Sequence, residues 1–279
     1  MRALVAAAVV LASTATARAQ AVAPCDDAAL LAPADVGIRD TGFDAPAPAC
    51  ARRGVYVTGR GHALVDTADF YGTLAASSWI GARWLLPGSK SDHEFELGAR
   101  VVDLRFTQTA VITVTETTIG PIYAGVSLFP TRIGDDHAYR LRLRAELDYT
   151  NTAYDGLAAG ALAENALTTR ISSTLAWHNR LALLAFRTSP VDGPQFRTAA
   201  AASTDLGQSL SRNWSLAYGL EAQTGWYGYG TTALDHLLAR AAARVRLAGR
   251  HDLALTIAIP LAGEERTNAV VALGWLIER

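Results

Sequence analysis

Between Tyr139 and Tyr149 the chain alternates with a period of two. The even positions are Arg140, Arg142, Arg144, Glu146 and Asp148; the odd ones are Tyr139, Leu141, Leu143, Ala145, Leu147 and Tyr149. A guanidinium stays ionised and grips a carboxylate or phosphate through two parallel hydrogen bonds. Three of them on one face could therefore bind or filter anions. Arg240, Arg244 and Arg246 form a second such set, and Arg60, Arg100, Arg105 and Arg170 are expected to join them. The expectation is an arginine-lined wall opposed by acids, favouring small anionic or polar solutes. The alternative is an interior filled by Arg–carboxylate pairs that only pack.

Other chemistries find less support. His178 beside Asn179 and His251 beside Asp252 read as turn residues, and no nucleophile with a positioned base is assigned among the six histidines, so no enzyme activity and no catalytic residue is expected. Asp92-His93-Glu94 and Asp135-Asp136-His137 are short acidic clusters that read as solvated loops. They supply too few ligands for calcium or zinc, so no metal site is expected. Gly59-Arg60-Gly61 and Gly228-Tyr229-Gly230 precede no helix, which removes a phosphate loop and leaves no cofactor motif.

The elements that must position the arginines are strands. Side chains alternate faces along a strand, so 139–149 has one wholly apolar and one wholly charged face. The apolar face carries a Tyr at each end. Trp214, Leu216, Tyr218, Leu220, Ala222, Thr224 and Trp226 repeat this pattern against Ser215, Ala217, Gly219, Glu221, Gln223 and Gly225. Tilted at a typical barrel angle, the span between the two Trp covers roughly 30 Å along a membrane normal. An outer-membrane barrel has an apolar band of about 25 Å with aromatic girdles at both edges. Trp214, Trp226, Tyr139 and Tyr149 are accordingly expected at the membrane interface.

The pattern yields about twelve strands: 54–66, 69–86, 93–107, 117–129, 138–151, 165–178, 180–190, 195–207, 212–227, 235–248, 251–261 and 267–278. Ten or fourteen would also fit. A slip of alternation at Val101-Val102 predicts a β-bulge, and Leu183-Leu184 breaks the alternation. Tight turns are expected around Asn179, Ser211-Arg212 and Gly249-Arg250, with longer connections at 152–164, 228–234 and 262–266. Lipid accepts apolar strand faces only when no backbone group is left unpaired, which a closed sheet achieves. The expected fold is all-β, an antiparallel up-and-down transmembrane β-barrel. A soluble barrel with its apolar face turned inward around a ligand is the competing architecture.

The 279 residues divide into three regions. Residues 1–19 read as a cleavable export signal, with Arg2, an apolar run from Ala3 to Ala12 and an Ala17-Arg18-Ala19 cleavage site. Residues 20–53 are an irregular Ala-, Pro- and Asp-rich periplasmic segment holding Cys25 and Cys50. Export favours a disulfide between them, and a loop of that size would contribute roughly 3 kcal/mol by chain entropy. Residues 54–279 form the barrel. The formal charge of −1 gives no reason to expect nucleic acid. The expected partners are outer-membrane lipid, the outer-membrane assembly machinery and small solutes, at the outer membrane of a Gram-negative bacterium.

The late part of the chain, Leu253–Leu261 (LALTIAIPL), a short loop and Ala269–Ile277 (AVVALGWLI), resembles proteobacterial outer-membrane transporter-like barrels. Among these is the family named after the phenol-degradation meta-pathway protein. The resemblance implies passage of small solutes across the outer membrane. A structural or adhesive barrel with a filled lumen is the alternative.

Overall fold

The computed structural model describes residues 54–278, apart from 67–70, 86–92, 109–112, 119–121, 129–135, 148–156, 189–194, 212, 225–233, 235, 248–250 and 264–266. The segments holding the proposed signal and Cys25 and Cys50 lie outside the described residues, as do Asp148, Tyr149 and Trp226. The described elements are all strands: β1 (Gly54–Asp66), β2 (Tyr71–Leu85), β3 (Glu94–Gln108), β4 (Thr113–Thr118), β5 (Ile122–Leu128), β6 (His137–Leu147), β7 (Leu157–Arg170), β8 (Leu175–Thr188), β9 (Gln195–Ser209), β10 (Trp214–Thr224), β11 (His236–Leu247), β12 (His251–Gly263) and β13 (Thr267–Glu278).

Every pairing is antiparallel, and sequence neighbours are spatial neighbours. β4 and β5 keep one register against β3, β5 opposite Glu94 to Ala99 and β4 opposite Asp103 to Gln108. They are one interrupted strand, so the sheet has twelve strand positions. It closes on itself, because β1 pairs with both β13 and β2, and β2 pairs with β3. Most strands have 11 to 15 residues, longer than the ~9–11 that a tilted strand needs to cross a bilayer.

Closure decides which face is which. In a ring of strands the accessible face is the exterior, and that face is apolar: Val55, Ile80, Leu97, Leu143, Leu183, Leu216, Leu255 and Leu273 are all exposed. The buried inner face carries Arg83, Glu96, Arg140, Arg142, Arg144, Glu164, Asp205, Glu221, Arg240 and Arg244. A soluble barrel has the opposite sense, so the outward apolar wall removes the soluble architecture. Arg140, Arg142, Arg144, Arg240 and Arg244 sit on the inner face as the alternation requires, and Arg246 is half-buried.

Aromatic residues mark one rim. Trp84, Trp177, Trp214 and Trp275 are exposed within four residues of the strand ends on the side where β1 begins and β13 ends. Trp84 packs against Phe95 with ring centroids 4.9 Å apart. Trp275 stacks on His251 at 5.8 Å and donates its indole N–H to His251 Nδ1 at 3.3 Å. Tyr139, near the same rim, is half-buried and donates its hydroxyl to Asn165 Oδ1.

The expected bulge is present: between Ser78 and Trp79 the β2–β3 register slips, leaving Val101 as the extra residue. Two expected strand boundaries are wrong. Asn179 is not in a turn but mid-way along β8, and 157–164 is strand rather than loop. The turn instead spans 171–174, where the amides of Ile171 and Ser172 both donate to the Leu175 carbonyl, at 2.8 and 3.1 Å. Ser172-Ser173-Thr174 is ordinary turn chemistry. His178-Asn179-Arg180 looks like a polar break only if strand interiors are assumed apolar, and here the interior is the polar side. His178 is buried, with Nδ1 2.9 Å from Thr168 Oγ1. His251 opens β12, so it borders the expected turn at Gly249-Arg250. Of the turn expected at Ser211-Arg212, Arg212 lies outside the described residues; around Ser211 the Leu210 amide donates to the Trp214 carbonyl at 2.9 Å, and Ser211 Oγ accepts from the Trp214 amide at 3.1 Å.

A closed sheet with this hydrogen-bonded seam resists detergent. The folded protein is expected to migrate differently on SDS gels before and after boiling, with β-rich circular dichroism. Solubility without detergent and a single unboiled band at the boiled position would contradict the closed membrane barrel.

Candidate functional site

The inner charges are not a wall of arginine facing a wall of acid. They interleave. Arg142 grips Glu96 with two hydrogen bonds, Nε to Oε1 at 2.6 Å and Nη2 to Oε2 at 2.9 Å. Arg83 reaches the same carboxylate at 3.3 Å and Arg144 at 3.5 Å. Arg142 also lies 4.0 Å from Glu164, which pairs with Arg140 and, at 3.4 Å, with Arg180. Arg180 continues to Glu221 at 3.5 Å, and Arg240 pairs with both Glu221 and Asp205. The contacts form one connected belt from β2 to β11. Among the described residues these contacts join six arginines to four carboxylates.

The belt runs flatter around the barrel than the hydrogen-bonded rows do. One row links Arg83, Glu96, Gly125, Arg144, Leu162, Leu184 and Ala199. It starts close to the terminal rim on β2 and ends near the opposite rim on β9, because barrel strands are staggered. The belt drops from this row at Glu96 to the next at Arg142 and Glu164, then to Arg180 and Glu221, then to Asp205 and Arg240. Each step offsets part of the stagger.

Two glycines make the reach possible. Arg142 on β6 bonds Glu96 on β3 across the intervening β5. There Gly125 is opposite Glu96, and a Cβ on it would come within 2.9 Å of Glu96 Oε1 and 2.7 Å of the Leu143 carbonyl. Arg240 on β11 bonds Asp205 on β9 across Gly219 of β10, where a Cβ would strike Asp205 and the Thr204 carbonyl. A side chain at either position would hold the ions apart.

Arg140, Arg142, Arg144 and Arg240 are buried on the inner face, and the ion pairs link all four through the belt. Arg244 and Arg246 are on β11, Arg244 buried on the inner face and Arg246 half-buried. Glu146 lies on β6, and nothing is described of its side chain. Sequence reasoning missed Arg83, Glu96, Glu164, Arg180, Asp205 and Glu221 as partners. The signal was available: each is a charge on the same parity as the small or polar residues of its strand. Among the described residues no group of three metal-binding side chains occurs.

Gly219→Val is expected to separate Arg240 from Asp205 and to lower stability by about 3 kcal/mol, the range for breaking a buried ion pair. Ala222→Val, on the outward face of the same strand, should change stability by less than about 0.5 kcal/mol. Guanidinium unfolding in detergent, followed by tryptophan fluorescence, measures both. Equal effects would remove the glycine from this role.

No protein-family model matches the chain, and no curated protein matches it in sequence. Solved structures do match in shape. An outer-membrane channel from Pseudomonas putida F1 superposes with a TM-score of 0.59 at 12% identity, over 86% of this chain and 99% of that one. The NanC porin gives 0.50 at 7% identity, over 81% and 100%. The β domain of the Bordetella autotransporter BrkA gives 0.50 at 11%, over 80% and 98%. The architecture of this chain is that of an outer-membrane β-barrel.

Proposed function

We propose that this chain is a Gram-negative outer-membrane channel through which small polar and anionic solutes pass, and that it catalyses no reaction. The carrying observation is the inward belt of guanidinium and carboxylate groups, in which several arginines share the Glu96 carboxylate. A lumen bearing fixed guanidinium groups attracts anions and excludes cations of like charge. The solute path would run past Arg140, Arg142, Arg144 and Arg240, with Glu146, Asp148, Arg244 and Arg246 belonging to the same inner lining. Bilayer lipid is the partner of the outer wall, and Trp214 and Tyr139 anchor one rim, with Trp226 and Tyr149 at the other. Residues 1–19 export the chain, the outer-membrane assembly machinery inserts it, and Cys25 and Cys50 close a disulfide in the periplasmic segment.

A second reading has its own support. Arg142, Glu96, Glu164 and Glu221 are 0–1% exposed, which suits a lumen filled by paired charges and a structural or adhesive barrel.

Planar-bilayer recording separates the two. The channel reading expects discrete conductance steps and a reversal potential that favours chloride in a potassium chloride gradient. Arg142→Ala with Arg144→Ala should shift that potential toward cations, and Glu96→Gln should shift it further toward anions. A folded, inserted protein that conducts nothing would establish the filled lumen. An unchanged reversal potential would remove the arginines from selectivity.

A further inference from the structure

The inner face changes character on one side of the belt. Moving away from the terminal rim, β7 presents Leu162 beyond Glu164, β8 presents Ala182 and Leu184 beyond Arg180, and β9 presents Ala199 and Ala201 beyond Asp205. Leu162, Ala182, Leu184, Ala199 and Ala201 pack as one cluster facing inward. On β11, Leu238 lies beyond Arg240 and is fully buried, and on β5 the ring of Tyr123 is buried on the inner face. Among the described residues, Leu162, Leu184, Leu238 and Tyr123 are the large inward apolar groups; the buried apolar residues on the terminal side of the belt are alanines, among them Ala176, Ala217 and Ala242.

The apolar cluster borders the belt at two register pairs, Ala182 opposite Glu164 and Leu162 opposite Arg144. Of the two belt residues, Arg144 is the cationic one. Its guanidinium carbon lies 3.4 Å from the centroid of the Tyr123 ring, and its Nε is 3.5 Å from Glu96. A cation held over an aromatic face beside leucines is chemically two-sided. It offers charge to an anionic head and hydrocarbon to whatever the head carries.

We infer that the solute this lumen selects is an aliphatic monocarboxylate, an anion with an apolar chain, whose carboxylate meets Arg144 while its chain lies on Leu162 and Leu184. The inference rests on the channel reading and narrows it. An inorganic anion would gain only the belt, and a hydroxylated sugar acid would set its hydroxyls against leucines and lose hydrogen bonds to water without replacement. Each methylene moved from water onto the apolar wall favours binding by roughly a few-fold.

The test compares hexanoate with gluconate, two monoanions of similar backbone length, in the full-length protein reconstituted in planar bilayers. Permeability ratios come from reversal potentials against chloride. Hexanoate is expected to exceed gluconate by several-fold more than their mobilities in water dictate. Leu162→Asn with Leu184→Asn should collapse that preference while chloride conductance persists. The milder Leu184→Ala should give an intermediate ratio, and the gel shift on boiling confirms that each variant is folded. A wild-type ratio equal to the aqueous mobility ratio, or a preference the double variant leaves intact, overturns the inference while the channel reading survives. Absence of any chloride conductance overturns both.

Discussion

A charge on the inner wall of a closed sheet has few places to go. The outer wall faces a medium that cannot solvate it, and the backbone is already committed to the ladder. It must find an opposite charge on the same wall or stay hydrated in a narrow lumen. The belt from Arg83 to Arg240 is how this chain meets that constraint. Breaking one buried partnership leaves an uncompensated ion, which costs more than the pair contributes. The belt residues are thus coupled, and their positions on β2 through β11 must agree with the stagger of the whole sheet.

That coupling explains the glycines. Ion pairs between next-nearest strands need the strand between them to carry nothing on its inner face. Gly125 under Glu96 and Gly219 under Asp205 provide this. Gly98 plays a related part for the Tyr123 ring, whose atoms would collide with a Cβ there. Arg144 then lies against that ring. The sequence positions of a few hydrogen-only side chains therefore decide which guanidinium meets which carboxylate.

Much of this is legible in the sequence, because the barrel writes its geometry as parity. On β6, β10 and β12 the large apolar residues share one parity, and the exposed outer face follows it. The slip at Val101 was visible for the same reason. What misled was the habit of reading a polar cluster as a turn. His178-Asn179-Arg180 sits mid-strand because two of its three residues point toward a polar interior, while the real turn at 171–174 has Ser-Ser-Thr and no Gly or Pro to announce it. Pair identities were not legible, since alternation fixes the face of a charge but not the stagger that brings Glu164 between Arg140 and Arg180.

The break in alternation at Leu183-Leu184 carries a separate lesson. An apolar residue on the wrong parity looks like noise in a strand pattern, yet Leu184 joins Leu162 and the neighbouring alanines in a cluster on the inner wall. Lipid supplies no reason for such residues, because lipid never touches that face. Their reason must lie inside, either in packing across the lumen or in what passes through it. Packing alone would be served by apolar residues scattered around the circumference. Buried alanines such as Ala217, Ala242 and Ala258 are spread around the inner wall, but Leu162 and Leu184 with their neighbouring alanines gather on three adjacent strands on the side of the belt away from the termini, beside Arg144 stacked on the Tyr123 ring. Such segregation gives one end of the lumen a direction of polarity, from hydrocarbon to fixed cation.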